Sequence, residues 1–413
     1  MADSAASLYD WNEKERHGPL LREPPRFVDE TLRHGLQSPA VKQPSLEQKL
    51  ELVRMMDRLG IDAVNLGRPG AGPRAAEDVE RLARMIAEEH LHIQATCAAR
   101  AIEADIRPIV EISQKLGVSI EVGALLESSP VRSYAEDWDA GRLEQGTRDA
   151  IRFIVGSSLP AALVTEDTTR AHPRLLDRLF RAAIEAGATR LVLSDTCGHA
   201  TPDGLRSLVG FTRSVLRGLD VEDRVELDWH GHNDRGLALV LGLFALEHGI
   251  DRVHGCGLGL GERVGSTPID LLLLNLFLLG QVDGDRHDLS VLVQYVRKIS
   301  EYTGVAIPPS YPLSGRDAFR TAEAAHAEAV SKAEARGDIE QADRVFSSVP
   351  AHAFGRVHEI EVGPDSGPGN AAHWLRRHGI EVTEAAVARL LDAAKQANRT
   401  LDEAEAAAAL AGP

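Results

Sequence analysis

The stretch from Arg190 to Asp234, RLVLSDTCGHATPDGLRSLVGFTRSVLRGLDVEDRVELDWHGHND, decides the fold. It opens on a short run rich in apolar and β-branched residues, Arg190–Ser194, and ends on another, Val225–Trp229. Between them lies an amphipathic stretch, Leu205 to Leu216, with helical spacing. Both strand-like runs give way to polar residues: Asp195 and Thr196 after the first, His230 and His232 after the second. The same unit repeats outward in both directions. Further strand-like runs are Phe27–Leu32, Ala63–Leu66, His92–Thr96, Ser119–Ala124, Ala162–Thr165 and Arg252–Gly255, with helical patterns such as Leu46 to Leu59 and Pro173 to Ala186 between them. Eight strand–helix units in one run predict an α/β fold whose parallel sheet closes into a (β/α)8 (TIM) barrel. A doubly wound sheet alternates in the same way but usually stops at five or six strands.

In such a barrel the ends of all strands converge on one face, so polar residues distant in sequence become neighbours there. Arg33 and His34 follow the first strand-like run, Arg100 the third, and Glu166 and Asp167 the fifth. The rhythm divides the chain into a polar lead (1–25), the barrel (26–284) and a tail (285–413). The tail reads as a small, mostly helical extension. It holds a helical segment ending at Pro308-Pro309, an Ala-rich stretch from Phe319 to Arg336, and short helices after the Gly/Pro-rich turn Gly363 to Gly369.

Composition narrows the function classes. Hydrophobic residues make up 43% and charged residues 26% of the 413, which excludes global disorder. A formal net charge of -16 repels phosphate backbones, so nucleic acid is not an expected partner. Cys97, Cys197 and Cys256 show no paired spacing, which predicts neither a disulfide framework nor a structural zinc knot and fits a reducing cytoplasm. The polar start lacks an apolar core followed by a cleavage site. The most apolar stretch, Leu271 to Leu279, is too short to span a bilayer and reads as a buried barrel helix. The expectation is a cytoplasmic protein with no membrane partner.

His230-Gly231-His232 is the sharpest local signal. Residues i and i+2 of a strand project to the same side, so both imidazoles can reach one metal ion; a surface turn holding two histidines is the alternative. Asp29-Glu30-Thr31-Leu32-Arg33-His34-Gly35-Leu36-Gln37 ends the first strand. An arginine there can stabilise a developing enolate or alkoxide, or can simply pair with a carboxylate such as Asp29 or Glu166. The glycine-rich run Gly257 to Gly265 has the wrong spacing for a dinucleotide fingerprint and reads as a barrel loop. Cys256 reads as a small buried apolar residue.

Together, DETLRHGLQSP, TEDTTR, SDTCGHATP, WHGHNDRGLAL and GLGLGERVGSTP resemble the ordered strand-end motifs of the DRE-TIM metallolyases, within them the isopropylmalate, homocitrate and citramalate synthases. The tail segment SGRDAFRTAEAAH resembles the part of those synthases that carries a catalytic histidine, and the resemblance covers roughly residues 26 to 410. It implies a Claisen-type condensation of acetyl-CoA with a 2-oxo acid and a divalent metal cofactor. It also implies a homodimer whose helical tail contributes to the active site of the partner subunit. Carried onto this sequence, it makes His230 and His232 metal ligands and gives Arg33 the oxyanion. Thr196 would bind the 2-oxo acid carboxylate, with Gln37 and Arg100 as further substrate contacts. Glu166 and His326 would transfer protons.

Three positions depart from that pattern. His34 stands where the family has an acidic metal ligand, Phe346 where it often has a tyrosine, and Ser266 where it has an asparagine. With His34 as third ligand the site is three imidazoles, which favours zinc, manganese or cobalt over magnesium. A ligand imidazole must be unprotonated, which predicts metal loss nearer neutral pH than with a carboxylate. Two other readings stand beside the synthase: a C–C lyase of the hydroxymethylglutaryl-CoA lyase type, and a non-catalytic relative with an altered metal site.

Overall fold

Eight strands form a closed parallel barrel in a computed structural model of the chain. The structure describes residues 9–411 except 13, 15–19, 22, 132–133, 135–138, 283 and 338. The strands are β1 (Arg26–Asp29), β2 (Ala63–Asn65), β3 (Gln94–Arg100), β4 (Glu121–Glu127), β5 (Ala161–Glu166), β6 (Arg190–Asp195), β7 (Glu226–Gly231) and β8 (Arg252–Gly255). They pair in chain order, and β1 closes on β8 with Arg26 opposite Arg252 and Asp29 opposite Gly255. The helices that follow the eight strands are α1 (Leu46–Arg58), α2 (Pro73–Glu88), α3 (Glu103–Leu116), α4 (Ala140–Gly156), α5 (Pro173–Glu185), α6 (Pro202–Gly218), α7 (Ala238–Glu247) and α8 (Ile269–Leu278).

Local chemistry sets many of these boundaries. Ser45 caps α1 in a reciprocal capping box with Gln48, and Thr201 caps α6 just before Pro202, whose missing N–H costs nothing at a helix start. The apolar stretch around Leu271 to Leu276 is buried helix α8, as expected. The first strand is shorter than its apolar pattern predicts. It ends at Asp29, because the Asp29 carboxylate captures the Thr31 N–H at 2.8 Å and the next N–H groups turn back onto the Glu30 carbonyl. That early turn lifts Arg33 and His34 off the strand and onto the barrel face.

The chain divides into two compact units, Met1–His287 with Tyr302–Gly304, and Asp288–Glu301 with Val305–Pro413. The second is built from helices α9 (Leu292–Thr303), α10 (Ala324–Ala335), α11 (Ile339–Arg344), α12 (Pro368–Arg377), α13 (Glu384–Ala397) and α14 (Glu403–Ala411), with two short parallel strands, β9 (Arg320–Thr321) and β10 (Glu359–Ile360). Its own core packs Trp374 and Leu375 of α12 against Leu390 and Ala394 of α13. Among the described residues no helix is long and apolar enough to cross a membrane.

Candidate active site

A cavity of about 170 Å³ opens among the strand ends of the barrel unit. Alternation along β7 sends Asp228 and His230 inward, and His232 follows at the same spacing through a bridge to Ser266. His34 meets them from the turn after β1. Ring centroids are 5.1 Å apart for His34 and His230, 4.5 Å for His34 and His232, and 5.4 Å for His230 and His232. One nitrogen of each ring lies within 4.8 Å of one nitrogen of each of the others.

All three rings are buried, and burial is the largest cause holding each imidazole below its ordinary pKa. The Arg33 cation adds to this at His34, and Arg263 at His232, whose pKa falls to about 4. The Arg263 guanidinium lies 2.8 Å from Nδ1 of His232 and can only donate, so the one lone pair of this neutral ring faces Arg263, which must give it up for His232 to ligate a metal. Three neutral imidazoles crowded without a proton to share form a donor set that fits a borderline divalent ion. The backbone leaves room for the cluster as well. Gly261, in the loop after β8, lies against the His34 ring where a side chain would collide.

A second trio, Glu30, His230 and His254, has similar spacing but different chemistry. His254 faces Oε1 of Glu30 through Nδ1 at 3.1 Å and Oδ2 of Asp228 through Nε2 at 2.9 Å. A ring between two carboxylates donates from both nitrogens and has no lone pair for a metal. Burial alone would lower the His254 pKa, but these two bonds raise it. Glu30 and Asp228 are held well below the usual carboxylate range. Their burial opposes this, and it is outweighed by Arg33 and His254 at Glu30, and by Arg252, Arg190 and His254 at Asp228.

Arg33 lines the cavity with its side chain 13% exposed, and its Nε donates to Oε2 of Glu30 at 2.8 Å. The carboxylate that holds it is therefore Glu30, rather than Asp29 or Glu166. Gln37, Glu166 and Thr196 also line the cavity. The Thr196 hydroxyl accepts the Asp167 N–H at 2.8 Å, which ties the loops after β5 and β6 together. Arg100 is directed elsewhere: both of its bonds, at 2.7 and 2.9 Å, go to Asp105 in the first turn of α3, and it does not line the cavity. His326 stands on α10 of the second unit, half exposed, with the Phe346 ring centroid 3.9 Å from its own. Ser266 is buried, and its hydroxyl is spent on the Leu260 carbonyl.

Sequence reasoning missed Glu30, Arg68, Asp228, His254 and Arg263. Asp228 and His254 carried a usable signal, since charged residues two apart on barrel strands face the interior. Arg68 and Arg263 sit on loops, where no periodicity marks them.

A family model described as HMGL-like matches residues 24–302. A probable 2-isopropylmalate synthase of Methanopyrus kandleri is 28% identical over 360 residues, covering 87% of this chain and 67% of that protein. A homocitrate synthase of Pyrococcus abyssi is 30% identical over 354 residues, covering 86% and 90%. Among solved structures, an HMG-CoA lyase of Bacillus subtilis shares the fold with a TM-score of 0.56 at 19% identity, over 69% of this chain and 96% of that one. With its barrel and its strand-end motifs in family order, the chain belongs to the HMGL-like, or DRE-TIM, family.

Proposed function

We propose that this protein is an acyltransferase that condenses acetyl-CoA with a 2-oxo acid, in the manner of the homocitrate and isopropylmalate synthases it is similar to. The observation that carries the reading is the pairing, in one cavity, of three buried neutral imidazoles with an arginine anchored through Nε alone. His34, His230 and His232 hold a divalent metal. Bound there, it supplies Lewis acidity toward the carboxylate and carbonyl oxygens of the 2-oxo acid.

The protein's own groups do the rest. Glu166 and His326 move protons, and the acetyl methyl carbon loses one to become the nucleophile. That carbon bonds to the keto carbon, and the negative charge collects on the former keto oxygen. Arg33 faces that oxygen with a permanent charge. Thr196 and Gln37 orient the 2-oxo acid. Water then cleaves the thioester, so a carboxylate forms and the CoA thiol departs. The active form is a homodimer in which His326 is supplied by the partner subunit. Cys256 gives no support to the lyase reading, because burial pushes its thiol far above the ordinary range.

Thiol release from acetyl-CoA tests the proposal. The metal-loaded protein should release CoA only when a 2-oxo acid is added. Release independent of the 2-oxo acid would mark a hydrolase, and conversion of a 3-hydroxy-3-methylglutaryl-CoA thioester to acetyl-CoA and acetoacetate, with no free thiol, would mark a lyase. No turnover of either thioester would favour the non-catalytic relative.

A further inference from the structure

Arg33 has one side-chain hydrogen bond among the described residues, from Nε to Glu30. Its two Nη groups make no other bond there, so the aim of the guanidinium depends on where Glu30 stands. Glu30 is 2% exposed and is held from the other side. Its Oε1 takes Nδ2 of Asn65 at 3.1 Å and faces Nδ1 of His254 at 3.1 Å. Behind His254, Asp228 is gripped by Arg190 at 2.7 Å and by Arg252 at 2.8 Å, and both arginines reach Glu121 at the start of β4. Glu30 is thus the last member of a chain of charge-assisted bonds that crosses the barrel interior from β4, β6, β7 and β8 to the turn after β1. Such bonds are short, directional and strong where water is excluded.

We propose that Glu30 is a positioning residue for Arg33: buried and braced by Asn65 and His254, it fixes the guanidinium by Nε and leaves both Nη groups for the oxygen that gains charge. The role of Arg33 rests on the function proposed above. The geometry of the Glu30 brace does not.

A double-mutant cycle tests the role. Glu30→Gln keeps the size but presents an amide where Arg33 needs an anion. It should lower kcat roughly 10- to 100-fold, the range typical of groups that orient a catalytic group, with KM for the 2-oxo acid and metal content near wild type. In an Arg33→Ala background the same change should cost nothing further, because its only route to the reaction is gone. Losses that multiply in the double variant would overturn the proposal.

A second arm works without turnover and without altering Glu30. Guanidinium chloride titrated calorimetrically into Arg33→Ala, against a sodium chloride control, should bind where the side chain was removed. It should bind neither to the wild type nor to Arg33→Ala/Glu30→Gln. Absence of binding to Arg33→Ala overturns the proposal even if the wild type is an active synthase. Binding that requires Glu30 supports the brace even if the wild type condenses nothing, an outcome that would sink the function reading alone.

Discussion

A Cβ built on Gly261 would stand 2.6 Å from Cε1 of His34. The glycine also has φ +155, a backbone region that L side chains rarely adopt. The loop after β8 is therefore a wall against which the third imidazole rests. Gly261→Ala should push His34 out of the cluster and weaken metal binding by about tenfold or more, on the scale of other changes that disturb ligand orientation. Metal titration followed by elemental analysis checks this. Wild-type affinity in a folded Gly261→Ala protein would mean that His34 is not a ligand.

The donor set predicts the metal ranking. Three imidazoles lack the negative charge that helps hold a hard ion, so zinc, manganese or cobalt should support activity better than magnesium. His34→Asp should move the preference back toward magnesium. Activity with each ion, wild type against variant, is the comparison. An identical ranking in both proteins would count against the assignment.

Burial of neutral histidine also has a stability signature. The His232 imidazole has a pKa of about 4 in the fold and an ordinary value of 6.5. As pH falls between those values the unfolded chain takes up a proton that the folded chain refuses, so stability is lost on acidification. The full effect at this one site is roughly 3 kcal/mol. His254 acts in the opposite sense. Its raised pKa contributes stability below its ordinary value that is lost as pH rises through the raised one. Denaturant unfolding of metal-free wild type and His232→Asn at pH 7 and pH 4.5 isolates the first effect: the variant should lose less stability on acidification. The same depression places proton competition for the imidazoles further into acid than a free histidine implies.

The barrel was legible because its strands and helices repeat two different periods, and because the polar residues change at each strand end. His230 and His232 were legible for the same reason, being two apart on one strand. The fate of Arg100 was not, because the carboxylate that captures it, Asp105, reaches it only once α3 has formed. Glu30 read as one more strand residue. Its role depends on the turn that Asp29 starts by binding the Thr31 N–H, and on Asn65 and His254 arriving from β2 and β8. Pairings across a barrel are set by register, which local sequence does not carry.

Sharing of the site between subunits can be tested by complementation. Arg33→Ala and His326→Ala should each retain only a small, measurable residue of activity alone. If His326 serves the partner's barrel, a mixed dimer contains one site with both residues intact. Mixing the two variants under conditions shown to exchange subunits should restore up to about a quarter of wild-type activity per total site, the random-pairing limit for a symmetric dimer. No recovery would place the histidine's action within its own chain, or outside the reaction.

The most direct test of the proposed chemistry is the mass of the acid formed from acetyl-CoA labelled with carbon-13 in both acetyl carbons, metal-loaded protein and a panel of 2-oxo acids including 2-oxoglutarate and 2-oxoisovalerate. The expected product is a new hydroxy-dicarboxylic or hydroxy-tricarboxylic acid that carries both labelled carbons, formed one for one with free CoA and strongly diminished in Arg33→Ala. Labelled acetate as the sole product, or unchanged acetyl-CoA with every 2-oxo acid, would contradict the proposed chemistry.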